Sequence, residues 1–305
     1  MTALMQRIKK GPSARPPKIM LIGVEGVGKS TAGANMPAPV FICGESGLVG
    51  PQFEGVPNFT PANWQELLDF VNEIATEPGE FKTVVIDTLD WIEPMLYAHV
   101  VADAKKNDIK HIEDFGYGKG YVIAQNEARK LIVALDRANA AGMAVLLLSH
   151  CQLRKVQNPE GEDYDHFESK VNAKIAGLFK EWADAVLFAK FETFVQKEGN
   201  KVKASGGSTR VVETTHSAAW DAKNRFGLPE VMPLDMPEIL KAMNGLGGDA
   251  KALEIELRGL LEHIPADKAK KTEAWLSKAQ RTAPELQNVI NNCKILIKEK
   301  EAENG

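Results

Sequence analysis

The apolar positions between residues 18 and 245 form short runs that predict buried strands, and these runs alternate with segments of helical spacing. The run at residues 143–148 is almost continuously apolar, which is typical of a strand whose two faces are both covered. We therefore expect an α/β fold with a mostly parallel central sheet. The predicted strands are residues 18–22, 40–43, 82–87 and 143–148. One predicted helix begins at Thr60-Pro61, with Thr60 as N-cap and Pro61 as first helical residue, and another spans residues 121–141.

The pattern changes after residue 185. The pattern predicts two strands, at residues 185–195 and 209–213, joined by a Gly/Lys-rich hairpin at residues 198–207. Such a hairpin predicts an antiparallel edge of the sheet. A glycine-rich boundary follows, and residues 249–305 have helical spacing, with helix starts expected at Pro265 and Pro284. The predicted organisation is a basic arm over residues 1–16, a core over residues 17–245 and a helical C-terminal appendage over residues 249–305.

Two interpretations of the N-terminal arm stay open. It carries lysines and arginines without an acidic residue, and its prolines prevent a long helix. It is either a frayed terminus or an arm that docks on a neighbouring subunit.

Composition narrows the class of protein. The 305 residues are 44% hydrophobic and 26% charged, which suits a sizeable core, and the net charge of −4 gives no global attraction to nucleic acid. The three cysteines are far apart in the sequence and predict a reducing compartment without structural zinc. No apolar run has the length of a membrane span and no signal peptide is visible, so we expect a cytoplasmic protein without a membrane partner.

A glycine-rich motif between the first strand and the first helix predicts a phosphate-binding loop. The segment has the form G-x-x-x-x-G-K-S, in which glycines let backbone amides approach phosphate oxygens. Lys29 is expected to reach the β- and γ-phosphates, and the Ser30 hydroxyl is expected to bind Mg²⁺. The predicted nucleotide-binding residues are Gly23, Val24, Glu25, Gly26, Val27, Gly28, Lys29, Ser30 and Thr31.

Polar residues follow three of the predicted strands, where α/β proteins bind ligands. Asp87 ends an apolar strand and is predicted to hold the Mg²⁺ shell together with Ser30. Glu45 follows the strand at residues 40–43 and is predicted to activate the attacking water. Ser149-His150 ends the strand at residues 143–148 and is a candidate sensor of the γ-phosphate.

The order of these motifs resembles that of RecA-core ATPases. Phe41-Ile42-Cys43-Gly44-Glu45, Val84-Val85-Ile86-Asp87-Thr88 and the strand ending in Ser149-His150 follow the phosphate loop as in that family. The resemblance implies that Glu45 is the catalytic base and that His150 couples the γ-phosphate to DNA-binding loops, although related filament proteins usually carry glutamine or asparagine near that position. Ala222-Lys223-Asn224-Arg225-Phe226-Gly227 resembles the K-x-R segment with which RecA and DnaB-type helicases reach a neighbour's γ-phosphate, so Lys223 and Arg225 are predicted catalytic residues.

The resemblance covers about residues 17–245 and is strongest to short phage proteins of the Sak type, which are single-strand annealing ATPases. It implies a RecA-type P-loop NTPase core, the cofactors ATP and Mg²⁺, and a cytoplasmic location in a phage-infected bacterial cell. It also implies two single-stranded DNA-binding loops, one at residues 114–121 and one from residue 152 to about residue 174. The candidate DNA contacts are Phe115, Tyr117, Lys119, Tyr121, Arg154 and Lys155.

The expected function is therefore a Mg²⁺-dependent ATPase that binds single-stranded DNA and promotes phage-type recombination or strand annealing. The expected partners are DNA, further copies of the chain in a filament or ring, and a single-strand-binding protein at the C-terminal helices. Two alternatives stay open: a DnaB-like ring helicase or translocase, and a nucleotide-gated annealing scaffold with little turnover.

Overall fold

A computed structural model describes residues 15–44, 48–104, 108–159, 161–198, 201–246 and 250–277, together with residues 286, 289–290, 292–294 and 296–297. Strands and helices alternate as the apolar pattern predicts. The strands are β1 (Lys18–Gly23), β2 (Pro39–Cys43), β3 (Asn58–Phe59), β4 (Thr83–Asp87), β5 (Ala144–Val156), β6 (Tyr164–Ser169), β7 (Ala185–Glu198), β8 (Lys201–Glu213), β9 (Lys223–Asn224) and β10 (Val231–Pro233). The helices are α1 (Lys29–Ala34), α2 (Trp64–Thr76), α3 (Leu89–Asp103), α4 (Lys119–Ala140), α5 (Ala173–Trp182), α6 (Met236–Leu246), α7 (Ala250–Leu260) and α8 (Ala266–Leu276).

The chain divides into two compact units, and β1 and β5 contribute residues to both. The first unit comprises the residues up to Met20 together with Pro37–His150 and Ser169–Ala183. The second comprises Leu21–Met36, Cys151–Glu168 and the chain from Asp184 onward.

The first unit contains the parallel part of the sheet, with strand order β1-β5-β4-β2-β3. The pairs β4–β5, β2–β4 and β2–β3 are all parallel. Val84, Val85, Ile86, Leu146 and Leu147 are completely buried, as expected for strands covered on both faces. Helix α2 packs against α4, and α4 packs against α3 and α5.

The second unit contains the antiparallel strands. Its strand order is β10-β8-β7-β1, with β10–β8 and β7–β8 antiparallel and β9 added to β7. The C-terminal helices α7 and α8 have a small apolar core of their own, which includes Leu257, Leu261, Ile264 and Leu276. The predicted fold class, an α/β core with a mostly parallel sheet and an antiparallel edge, is confirmed.

The boundaries of several elements differ from the prediction. Helix α2 begins at Trp64 rather than at Thr60-Pro61, because the Asn63 side chain caps the helix by accepting a hydrogen bond from Glu66 N at 3.0 Å. Strands β7 and β8 extend to Glu198 and Lys201, so most of the predicted hairpin connection at residues 198–207 is strand.

Both predicted DNA loops contain regular structure. Strand β5 continues past His150 to Val156 and pairs with β6, so the region after residue 150 is a pair of strands rather than an open loop. In the other region, Ile112–Phe115 form a short 3₁₀ helix and α4 starts at Lys119. Only Gly116, Tyr117 and Gly118 connect these two helical segments.

Several predicted features lie outside the described residues. These are residues 1–14 of the basic arm, Glu45, and the helix start at Pro284. In the described part of the chain, no helix is both long and apolar enough to cross a membrane.

We expect Gly23→Ala to destabilise the fold and Gly177→Ala to leave it intact or stabilise it. A Cβ atom at Gly23 would lie 2.8 Å from the carbonyl oxygen of Ala189, and a backbone atom of a sheet strand moves only at a cost of about 1–3 kcal/mol. A Cβ atom at Gly177 in α5 meets nothing within 4 Å, and alanine favours a helix over glycine by about 1 kcal/mol. Urea unfolding of both variants measures the difference, and equal midpoints would contradict the close approach at Gly23.

Candidate nucleotide-binding site

The phosphate loop connects β1 to α1 with left-handed backbone at two glycines. Gly26 has φ +72° and Gly28 has φ +98°, conformations that residues with a Cβ rarely adopt. Gly28 is the N-cap of α1 and has no side chain with which to cap it, and the first turn of the helix contains no acidic residue. A phosphate bound in this loop would therefore meet no acidic side chain from the first turn of α1.

Lys29 is anchored inside the loop. Its side chain is buried, and its Nζ atom donates hydrogen bonds to the carbonyl oxygens of Gly23 at 3.1 Å and Val24 at 3.0 Å. Val24 N in turn donates to the carbonyl oxygen of Ala189 in β7 at 3.4 Å. The nine predicted nucleotide-binding residues differ in burial. Val27 is buried, Glu25 is exposed, and Ser30 and Thr31 are half-buried.

The structure adds Arg210 of β8, which the sequence analysis missed. Its Nη1 atom lies 2.8 Å from the position that a Cβ atom on Gly28 would occupy. Only the pairing of β7 with β8, in which Phe191 is opposite Arg210, brings it to the loop. Cys151 of β5 also lies near the loop: burial raises its pKa, and the charge of Lys29 acts in the opposite direction.

The carboxyl end of β4 carries Asp87, the second predicted metal ligand. Asp87 is paired in register with Cys43 of β2, and Gly44 N donates to the Asp87 carbonyl oxygen at 2.9 Å. Burial raises the pKa of the Cys43 thiol to about 11, and the Asp87 carboxylate adds to that shift. The adjacent Thr88 is buried, and its hydroxyl has no hydrogen-bond partner in the part of the chain that the structure describes.

These groups fit the proposed ligands. A loop with two left-handed glycines and a buried lysine suits a polyphosphate. The hydroxyl of Ser30 and the carboxylate of Asp87 are hard oxygen donors of the kind Mg²⁺ prefers, and the unsatisfied Thr88 hydroxyl marks a polar position beside Asp87 that a water or ligand can fill. The assignment of Ser30 and Asp87 to one metal rests on the two sequence motifs.

His150 is held by Asp90 at the start of α3. The Nδ1 atom of His150 lies 2.8 Å from Asp90 Oδ2, and the backbone N of His150 donates to Asp90 Oδ1 at 2.9 Å. Burial acts to raise the pKa of Asp90, but the hydrogen bonds from the ring and amide of His150 outweigh it and the pKa is lowered. The neighbouring Ser149 is buried and shares a 2.8 Å hydrogen bond with the hydroxyl of Ser169.

Two further polar residues follow Asp90 along α3. Glu93 Oε1 accepts hydrogen bonds from the Tyr97 hydroxyl at 2.7 Å and from Asn172 N at 2.9 Å. Burial raises the pKa of Glu93 despite these two bonds. Because Asp90, Glu93 and Tyr97 are three and four residues apart, they occupy one face of the helix.

The candidate DNA residues in the first region differ in exposure. Tyr117 is fully exposed, has φ +49° and lies between two glycines of positive φ, and Lys119 is also exposed. Tyr121 is partly buried, its hydroxyl donates to Glu113, and its ring packs edge-on against Tyr97 with 5.7 Å between centroids. Phe115 is half-buried at the end of the 3₁₀ helix.

The remaining predicted cations belong to the second unit, in which Lys223 is half-buried and the others are exposed. Arg154 and Lys155 are exposed on the outer part of β5, where Arg154 lies 3.5 Å from Glu168 of β6. Lys223 of β9 is paired with Val186 of β7, and Arg225 lies 3.5 Å from the buried carboxylate of Asp184. Asn224, between the two cations, binds Leu228 through its side-chain amide and thereby fixes the turn that presents them.

We expect Asp90→Asn and Glu93→Gln to change stability in opposite directions. Because the folded-state pKa of Asp90 is lowered, its ionised form stabilises the protein above its unfolded pKa, and this contribution is lost as pH falls through the folded pKa. The folded-state pKa of Glu93 is raised, so its charge costs stability near neutral pH, and this cost disappears on acidification. Asp90→Asn should therefore lower Tm at pH 7, and Glu93→Gln should raise it.

Thermal unfolding between pH 3 and pH 7 measures both effects. The loss of Tm in Asp90→Asn should shrink toward pH 3, and so should the gain in Glu93→Gln. If Tm depended on pH in both variants as it does in the wild type, neither carboxyl group would be coupled to folding.

Comparison with protein families gives an independent assignment. The family model described as an AAA domain (AAA_24) matches residues 15–226, which is more than half of the chain and includes the phosphate loop, Asp87, Arg210 and both cations of the K-x-R segment. A comparison with curated proteins found no match. The chain therefore belongs to the AAA_24 family of AAA domains, which identifies it as an AAA-type P-loop ATPase domain.

Proposed function

We propose that the protein is a Mg²⁺-dependent ATPase that binds single-stranded DNA and promotes recombination or strand annealing of the phage type, related to the Sak-type ATPases. The observation that carries the nucleotide part is the phosphate loop, in which Gly28 is left-handed and the ammonium group of Lys29 is buried against the loop carbonyls. The DNA part rests on the RecA-like order of motifs and on the exposed side chains of Tyr117 and Lys119.

In this proposal each residue of the nucleotide site has a separate task. The loop amides and Lys29 bind phosphate oxygens, and Ser30 and Asp87 supply oxygen ligands to the metal. When bound, Mg²⁺ neutralises charge on the phosphates. Glu45 orients and deprotonates the attacking water. His150, fixed by two hydrogen bonds to Asp90, senses the terminal phosphate.

We propose that α3 connects this sensor to the DNA-binding region. One face of the helix carries Asp90, which holds His150, and Tyr97, whose ring packs against Tyr121. Tyr121 binds Glu113, and the segment with Tyr117 lies between these two residues in the sequence. A shift of His150 would thus act on a helix that already contacts the residues flanking Tyr117.

The proposed assembly is a homo-oligomer, either a filament or a ring, in which Lys223 and Arg225 complete the site of the adjacent subunit. A single-strand-binding protein is the proposed partner of the C-terminal helices. The fixed turn at Asn224 supports a role in which both cations are presented together, because a phosphate needs them in a defined geometry.

One experiment tests the function against its alternatives: ATP turnover with and without single-stranded DNA, beside electron microscopy of the same mixtures. DNA-stimulated turnover with filaments or rings supports the proposal. Processive unwinding of a duplex would instead favour the DnaB-like translocase. Very slow turnover with retained annealing would favour the nucleotide-gated scaffold.

We expect Lys29→Ala to abolish tight ATP binding and Glu45→Gln to retain it while lowering turnover by about 10²–10⁴-fold. Lys29 supplies charge to the phosphates, whereas Glu45 acts only on water. Equilibrium binding of labelled ATP and steady-state turnover separate the two effects, with Lys130→Ala as an exposed control. Unchanged ATP affinity in folded Lys29→Ala protein would refute the phosphate-loop assignment.

We expect Tyr117→Ala to weaken single-stranded DNA binding more than Tyr121→Phe does. Tyr117 is fully exposed and free to stack on a base, a contact that contributes about 1–3 kcal/mol, whereas Tyr121 is held by Glu113 and Tyr97. Fluorescence anisotropy with an oligothymidylate measures the affinities, and DNA-free ATPase should stay close to wild type in both variants. Equal DNA affinity in Tyr117→Ala and wild type would assign this segment to structure.

A further inference from the structure

Arg210 lies directly against the phosphate loop of its own chain. Its Nη1 atom is 2.8 Å and its Cζ atom is 3.6 Å from the position that a Cβ atom on Gly28 would occupy. Gly28 immediately precedes Lys29, the predicted phosphate ligand. The guanidinium group therefore occupies space beside the loop that is open only because residue 28 is a glycine.

The backbone around Arg210 is fixed on two sides. Arg210 pairs with Phe191 of β7, and β7 is tied to the loop by the hydrogen bond from Val24 N to the Ala189 carbonyl oxygen. On the other side, Leu234 N donates to the Arg210 carbonyl oxygen at 3.0 Å. The strand that carries Arg210 is thus held in register with the strand that supports the loop.

The charge of Arg210 has an aromatic neighbour but no carboxylate partner in the described part of the chain. The guanidinium carbon lies 6.0 Å from the centroid of the Phe191 ring, at the outer limit of a cation–π contact, and the residue is exposed. On the same pair of strands Lys190 behaves differently, since it forms a 2.7 Å ion pair with Glu213. Arg210 keeps planar N–H donors that suit bidentate binding of a phosphate.

Arg210 therefore places a second positive charge beside the loop that carries Lys29. From this juxtaposition we propose that Arg210 is a phosphate ligand that acts in cis, binding the terminal phosphates of the nucleotide on the loop of the same chain. The inference rests on the proposed nucleotide binding. It assigns Arg210 a role distinct from that of Lys223 and Arg225, which are proposed to act on a neighbouring subunit.

The first test is equilibrium ATP binding to the full chain with wild-type protein, Arg210→Ala, Arg210→Lys and the control Arg129→Ala. Arg129 is an exposed arginine of α4 that lies in the other compact unit. We expect about a tenfold or greater loss of affinity in Arg210→Ala, because a hydrogen bond to a charged group is lost. Arg210→Lys should recover part of it, since lysine keeps the charge without the planar fork. Arg129→Ala should bind like wild type.

The outcomes separate this inference from the proposed function. If wild-type protein fails to bind ATP, both are overturned. If wild type binds ATP and Arg210→Ala binds it equally well, only the role of Arg210 is overturned. Thermal unfolding without nucleotide should give the same Tm for wild type, Arg210→Ala and Arg210→Lys. A lower Tm in Arg210→Ala, with wild-type Tm and affinity in Arg210→Lys, would assign the residue to structure.

Mixing distinguishes action in cis from action in trans. Lys29→Ala protein retains Arg210 but lacks a functional loop, so it can assist Arg210→Ala protein only across a subunit boundary. We expect no recovery of ATP affinity at the loops of Arg210→Ala when the two proteins co-assemble. Recovery on mixing would overturn the assignment in cis.

Discussion

The nucleotide site depends on the close approach of two backbone segments at Gly23 and Ala189. The absence of a Cβ atom at Gly23 lets β7 come within contact distance, so that Ala189 can accept a hydrogen bond from Val24 N. The carbonyl oxygens of Gly23 and Val24 then receive the ammonium group of Lys29. The packing of β7 against β1 therefore sets the position of Lys29. The same packing holds the glycine-rich loop at the end where β1 enters it.

The polar residues of the first unit form a second constraint around α3. Asp90 uses both carboxylate oxygens to hold His150, so the ring and the backbone at the end of the buried part of β5 are fixed together. Glu93 is retained three residues later at an electrostatic cost, because burial raises its pKa. Glu93 nevertheless binds both Tyr97 and the start of α5. A carboxyl group that is kept at such a cost suits a role in linking structural elements better than a role in stability alone.

The sequence predicts features that are local. Glycine spacing identifies the phosphate loop, and apolar runs locate β1, β4 and the start of β5 to within a residue. It does not predict features created by long-range pairing. Asp90 meets His150 across 60 positions, and Arg210 reaches Gly28 only through the register of β7 with β8. The loop prediction after residue 150 is wrong because strand pairing with β6 keeps a polar segment extended, which no apolar pattern signals.

The environment of the cations bears on how a phosphate could enter. Lys29 donates to carbonyl oxygens of its own loop, and Arg210 lies beside the ring of Phe191. A carboxylate partner would compete with phosphate for the same donors, and breaking such a pair would subtract from binding. For Arg210, the aromatic face of Phe191 competes less strongly than a carboxylate would, because it carries no full charge. For Arg210, which has no carboxylate partner among the described residues, an arriving polyphosphate gains a charge-assisted contact without first breaking an ion pair.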